Sequence, residues 1–261
     1  MPISVDAQLT KLTQAEFAEV AYGVMAEIFS LHGELGRLFD EKVYKNALAD
    51  RICGLQTEVE IKVTYKDFCK SYYIDALASS GAPFELKAVD ALHRQHRTQL
   101  VNYLLLTGLQ HGKLVNLHPE KVEHEFVNAS QTHSERQHFN VRDSLWQPAD
   151  GFGLSQKSLV VDILSDWGTG LERSLYQEAL IHFFGGKDKV CSETHVVLNG
   201  KPISTQPALL CDPTTALRVT TFENNANNYR KDLLNFINST ALTAIQWINI
   251  ARNRITFETL H

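Results

Sequence analysis

Three ionisable residues, Asp75, Glu85 and Lys87, stand close together in the stretch IDALASSGAPFELKAV. Side chains of a strand alternate between its faces, so Glu85 and Lys87 point the same way. An adjacent strand carrying Asp75 brings a second carboxylate beside Glu85. Two carboxylates are a fitting set for Mg²⁺ or Mn²⁺, which fill their remaining positions with water and substrate phosphate. A cation so held polarises a phosphoryl group and acidifies an attacking water. Lys87 then stabilises developing charge or orients that water. The competing reading is a solvated strand edge with an ordinary Glu–Lys pair. Against it stand the apolar neighbours Tyr72, Tyr73, Ile74, Phe84 and Leu86, since an unpaired charge in such a setting is costly.

The elements that must hold these residues are legible from periodicity. LTQAEFAEVAYGVMAEIFSLHGELG has apolar residues at Phe17, Val20, Ala21, Val24, Ile28 and Leu31, a helical spacing. Thr13 followed by Glu16 predicts a capping box at its start. FDEKVYKNALADRI is a second helix, after a turn at Gly33–Gly36. TEVEIKVTY alternates as a strand, and SYYIDAL and PFELKAV are two more, joined by the turn-prone ASSGAP. DALHRQHRTQLVNYLLLTGL reads as a helix, KLVNL as a buried strand and HEFV as a further short one. This order predicts an α/β sandwich around a small mixed sheet. Residues 1–127 are assigned to this domain, 128–153 to a polar linker and 154–261 to a second domain.

The second domain repeats the first. Gly36, Tyr44, Ala47 and Leu48 recur as Gly168, Tyr176, Ala179 and Leu180, each 132 positions on. Arg97, Leu100, Asn102, Thr107, Leu109 and Asn116 recur as Arg230, Leu233, Asn235, Thr240, Leu242 and Asn249, 133 positions on. A repeat this long marks a duplicated domain, and duplicated domains are expected to pack about a pseudo-twofold axis.

The first half resembles the GxxExxY family of the PD-(D/E)XK nuclease superfamily. LHGELGRLFDEKVYKNAL is similar to that family's opening helix–turn–helix, with His32, Gly36, Glu41 and Tyr44 in place. YYIDAL and FELKAVDAL resemble its strand pair, and HRTQLVNYLLLTGLQHGKLVNL its closing helix and strand, with Gln99 and Tyr103 at the Q-x-x-x-Y positions. The resemblance implies tandem restriction-endonuclease-like α/β sandwich domains. It makes Glu41, Asp75 and Glu85 the metal ligands, Lys87 the catalytic lysine and Gln99 an accessory catalytic residue. It implies metal-dependent cleavage of nucleic-acid phosphodiesters, with DNA as the expected partner.

Two departures matter. Leu38 stands where the family's eponymous glycine belongs. In the second half Arg173 replaces Glu41, Ala208 replaces Asp75, Arg218 replaces Glu85, Thr220 replaces Lys87 and Asp232 replaces Gln99. That half is expected to be a degenerate copy without catalysis. A fixed guanidinium where a metal once sat can hold a phosphate through paired hydrogen bonds. Arg173 and Arg218 are therefore candidate backbone contacts, with His93, His96, Arg97 and Tyr103 as further substrate contacts in the first half. A zinc site built from His93, His96, His111 and His118 lacks a convincing complete ligand set. The alternative to an enzyme is a scaffold of the same fold that binds nucleic acid or a partner without cutting.

Composition fits this reading. The 261-residue chain is 44% hydrophobic and 21% charged, enough to bury a core, and its formal net charge of −5 argues against a strongly basic coat. Cys53, Cys69, Cys191 and Cys211 form no C-x-x-C pair and read as reduced, mostly packing thiols. No apolar run is long enough for a membrane span. A cytoplasmic location and a possible homodimer are expected. No phosphate-cradling G-x-x-x-x-G-K-[ST] loop is present, which excludes the P-loop NTPases.

Overall fold

The computed structural model describes residues 2–148 and 153–261, the side chains of 153–155 excepted. The chain divides into two units, Met1–His133 and Ser134–His261, each built on a six-stranded mixed sheet. The first unit runs β1 (Ile3–Val5), α1 (Gln14–Leu35), α2 (Glu41–Arg51), β2 (Gln56–Tyr65), β3 (Phe68–Ala78), β4 (Ala82–Lys87), α3 (Arg94–Thr107), β5 (His111–Asn116) and β6 (Glu123–Asn128). Its strands lie in chain order, and all neighbours are antiparallel except β4 and β5. The single parallel pair is spanned by α3, as a parallel connection requires.

Local chemistry explains the helices. Thr13 and Glu16 form the expected capping box, with Thr13 N–H donating to Glu16 Oε2 at 2.8 Å. The α1 stripe Phe17, Ala21, Val24, Met25, Ile28 and Leu31 packs with Tyr44 and Leu48 of α2 onto Ala76, Ala78, Phe84, Leu86 and Val115 of the sheet. The other face of the sheet receives α3, where Leu100 closes on Gly112 so tightly that a Cβ there would lie 3.1 Å from the Leu100 Cδ1. Glu85 and Lys87, out of phase with Phe84 and Leu86, are thereby kept out of the α1–α2 core.

The second unit contains α4 (His133–Gln137, its first residue still in the first unit), β7 (Asn140–Leu145), α5 (Gly153–Trp167), α6 (Arg173–Phe183), α7 (Lys187–Val190), β8 (Cys191–Leu198), β9 (Lys201–Asp212), β10 (Thr215–Thr220), α8 (Ala226–Asn238), β11 (Ala244–Ile250) and β12 (Arg254–Leu260). Strands β8 to β12 repeat the order and pairing senses of β2 to β6. Details repeat as well. Pro83 pairs with Leu77, and Ala216 with Leu210. Lys87 pairs with Asn116, and Thr220 with Asn249. Asn116 exchanges hydrogen bonds with the Val89 backbone, and Asn249 with that of Phe222. Tyr44 donates to Gly36 O and Tyr176 to Gly168 O, both glycines having positive φ.

The structure adds to or departs from the sequence reading in three places. The stretch 128–153 is not simply a linker: α4 and β7 lie in it, and β7 pairs parallel with β12. Residues 149–152 of that stretch lie outside the described ones. Strand β1, absent from the sequence reading, adds an antiparallel edge to β2. At three residues β1 (Ile3-Ser4-Val5) is too short for its alternation to stand out, β7 (Asn140–Leu145) does not alternate, and both join through backbone hydrogen bonds that periodicity does not reveal. Finally, only Cys211 packs in a core; Cys53, Cys69 and Cys191 are exposed.

Candidate active site

The site forms at the ends of β3 and β4 and at the start of α2. Ala76 pairs with Phe84, so the register carries Asp75 to a place opposite Glu85 on the face shared with Lys87. The Lys87 Nζ lies 2.5 Å from Glu85 Oε1, 3.8 Å from Asp75 Oδ2 and 3.9 Å from Glu41 Oε2. Glu41, the first residue of α2, also accepts the Ala88 N–H through Oε1 at 3.3 Å. Four residues from three elements thus meet around one ammonium.

Burial sets the electrostatics. Glu85 is 1% exposed and Asp75 8%. Asp75 Oδ2 accepts the Leu86 N–H at 2.9 Å. Glu85 Oε2 is buried and has no hydrogen-bond partner among the described residues. Burial first, then the negative charge of Asp75, pushes the Glu85 carboxyl up to about 8 against the opposing pull of Lys87. Burial works against the charge of Lys87, but Glu85, Asp75 and Glu41 outweigh it and raise its pKa.

Sequence reasoning missed Lys45. This residue of α2 places Nζ 3.0 Å from Asp75 Oδ1 and also ion-pairs with Glu58. Burial opposes its charge, and hydrogen bonds to Glu58 and Asp75 overcome it, raising its pKa. A signal was present: Gln177 stands at the equivalent place in the second half, which has lost the acids as well.

The other candidates spread along α3. Gln99 donates to the Tyr103 hydroxyl at 2.8 Å. His93 caps the helix, and its N–H donates to His96 Nδ1 at 3.1 Å, which leaves the neutral His96 proton on Nε2. Burial, then the charge of Lys87, lowers the pKa of His96. Arg97 pairs with Glu125 at 3.2 Å, and the equivalent Arg230 pairs with Glu258 at 2.6 Å. An ion pair kept in both units points to a structural duty for Arg97.

In the second unit the same positions hold different groups. Ala208 is buried, and Thr220 donates to Asn249 Oδ1 while accepting the Trp247 N–H. Arg218 lies over the Phe236 ring at 5.0 Å, and Arg173 is exposed at the start of α6. Asp232 is exposed on α8.

Asp75 and Glu85 fit a divalent cation that keeps waters and a phosphate in its shell. Among the described residues no group of three or more His, Cys, Asp or Glu forms a metal cage. Mg²⁺ needs no such cage, since one or two carboxylates plus waters and substrate phosphate suffice. The partnerless Glu85 oxygen beside Asp75 is the kind of donor such an ion takes up. Histidines 93, 96, 111 and 118 gather into no zinc site.

Residues 18–128 match the family model of the PD-(D/E)XK nuclease superfamily, whose members generally use divalent metal ions. No curated protein matches the chain. Among solved structures, one described as "Crystal structure of SSO0001" is similar at 19% identity with a TM-score of 0.29, over 46% of this chain. The match spans 61% of that chain's length.

Proposed function

We propose that the first unit is a metal-dependent nuclease that hydrolyses phosphodiester bonds of nucleic acid, with DNA as its first substrate. The observation that carries this is the buried, partnerless Glu85 Oε2 beside Asp75 and Lys87. Leaving such an oxygen unpaired costs about 1–3 kcal/mol, which a bound cation would offset. Asp75 and Glu85 would hold Mg²⁺ or Mn²⁺, with Glu41 as a further ligand through water. A cation so bound polarises the scissile phosphoryl group and acidifies a water. Lys87 neutralises charge developing on the phosphoryl oxygens. Lys45 and the Leu86 N–H fix the Asp75 carboxylate from two sides. His93, His96, Gln99 and Tyr103 supply hydrogen-bonding groups along α3.

The second unit is proposed to be a duplicated copy that cuts nothing and grips the phosphate backbone through Arg173 and Arg218. The shared strand order, registers and tyrosine–glycine bonds support the duplication. The replacement of all four charged site residues supports the loss of catalysis.

The test is a cleavage assay with Mg²⁺ and Mn²⁺ on single-stranded and duplex DNA and RNA, with Lys87→Ala as control. Cleavage that falls at least ~100-fold in the variant supports the reading, as expected when a group stabilising developing charge is removed. Binding without cleavage by the wild-type chain would make the protein a scaffold instead.

A further inference from the structure

The turn that leads into the site carries an apolar surface the fold does not need. Leu38 is 84% exposed, Phe39 45% and Val43 38%. Leu38 is three residues ahead of Glu41, so its Cα lies within about 11 Å of that residue, given the reach of an extended chain. Glu41 is in turn fixed beside Lys87, with Oε2 3.9 Å from Nζ. Exposed Arg37 and Lys42 flank the apolar residues, and among the described residues neither is in an ion pair.

The equivalent turn of the second unit is built differently. Gly168 repeats Gly36, and the residues that follow are Thr169, Gly170 and Leu171, with Leu175 at the place of Val43. Thr169, Leu171 and Leu175 are all buried. Arg136 covers the turn: its O accepts the Thr169 N–H at 2.9 Å, and its Nη1 donates to Trp167 O and Thr169 O. The exposed apolar turn therefore belongs only to the unit with the acids.

We infer that Leu38 and Phe39 seat an unpaired base next to the phosphate held at Lys87, which makes single-stranded or frayed nucleic acid the substrate class of the site. This rests on the nuclease reading. Every base has an apolar π face that packs against aromatic and aliphatic side chains. In a duplex both faces are already stacked, so only an unpaired base can use the seat. Arg37 and Lys42, on either side of the exposed Asp40, offer two cations outside any ion pair among the described residues to the flanking phosphates, which favours nucleic acid over an apolar protein segment as the occupant.

The experiment measures binding with Ca²⁺ in place of Mg²⁺, using a single-stranded DNA oligonucleotide carrying 2-aminopurine, the same strand as RNA, and the matched duplex. Wild type is compared with Leu38→Ser/Phe39→Ser, whose exposed sites keep the fold intact, as thermal unfolding will verify. The double variant should bind both single strands roughly ten-fold more weakly, with duplex affinity changed less than about two-fold. Quenching of 2-aminopurine seen with wild type should disappear. Equal affinities in wild type and variant, with Mg²⁺-dependent cleavage intact, would overturn the seat and leave the nuclease standing. No binding and no cleavage by wild type would remove both. A dimer that the double variant dissociates, without any effect on strand binding, would reassign the surface to a protein contact and overturn the inference.

Discussion

Lys87 Nζ lies 2.5 Å from one oxygen of Glu85, while the other oxygen of that carboxylate, Oε2, is buried without a hydrogen-bond partner among the described residues. A strand of six residues thus holds an acid whose ionised form is opposed by burial, Asp75 and Glu41 and supported by Lys87. The consequences for stability, metal binding and the two copies of the fold can be measured.

Removing the charge of Glu85 should stabilise the protein when no divalent cation is present. The Glu85 carboxyl is raised from the ordinary 4.5 to about 8, so the folded state binds the proton more tightly than the unfolded state. Stability from this group is then highest below about pH 4.5 and falls as pH rises through 4.5 to 8. Wild type should lose melting temperature across that window more steeply than Glu85→Gln. Added Mg²⁺ should restore wild type above pH 7 and leave the variant unchanged. Parallel thermal melts with and without Mg²⁺ check both statements, and identical pH profiles would refute them.

Lys45 should act through Asp75. Lys45→Met frees Asp75 Oδ1 from its 3.0 Å contact, so the carboxylate loses one of its two fixed bonds. The Mg²⁺ concentration for half-maximal cleavage should rise several-fold with a smaller change in the rate at saturating metal. Lys45→Arg should recover most of the loss. A Lys45→Met variant with unchanged metal dependence would make this residue a bystander.

The two glycines at equivalent turns should differ in tolerance. At Gly36 (φ 76°, ψ −153°) a Cβ meets open space, and Gly36→Ala should cost about 1–3 kcal/mol from backbone strain alone. At Gly168 a Cβ would lie 2.8 Å from the Arg136 Cβ and 3.0 Å from its Nη1, and Arg136 is fully buried. Gly168→Ala should cost about 1–3 kcal/mol more, the usual penalty of overpacking. Urea unfolding of the two variants compares them directly.

Arg173→Ala/Arg218→Ala should weaken nucleic-acid binding and flatten its salt dependence, because each phosphate contact releases counterions. A slope of log K against log salt shallower by about 1–2 is expected for two lost contacts, on single strands as on duplex. Cleavage at saturating substrate should persist. An unchanged slope would leave the second unit as a structural partner only.

The sequence by itself determined the face that carries the candidate site. Strand alternation commits Glu85 and Lys87 to one side, and the apolar phase of Phe84 and Leu86 commits that side away from the α1–α2 core. It also determined the long helices, through the Thr13 cap and the α1 stripe. These are local properties, carried by periods of two and of about four residues. Tertiary structure alone decided the rest. Lys45 reaches Asp75 across thirty positions of sequence, an encounter no period encodes. Strands β1 and β7 were invisible because sheet edges are joined by backbone groups that every residue carries. The unpartnered oxygen of Glu85 was decided last, since whether a carboxylate finds a donor depends on every element packed around it.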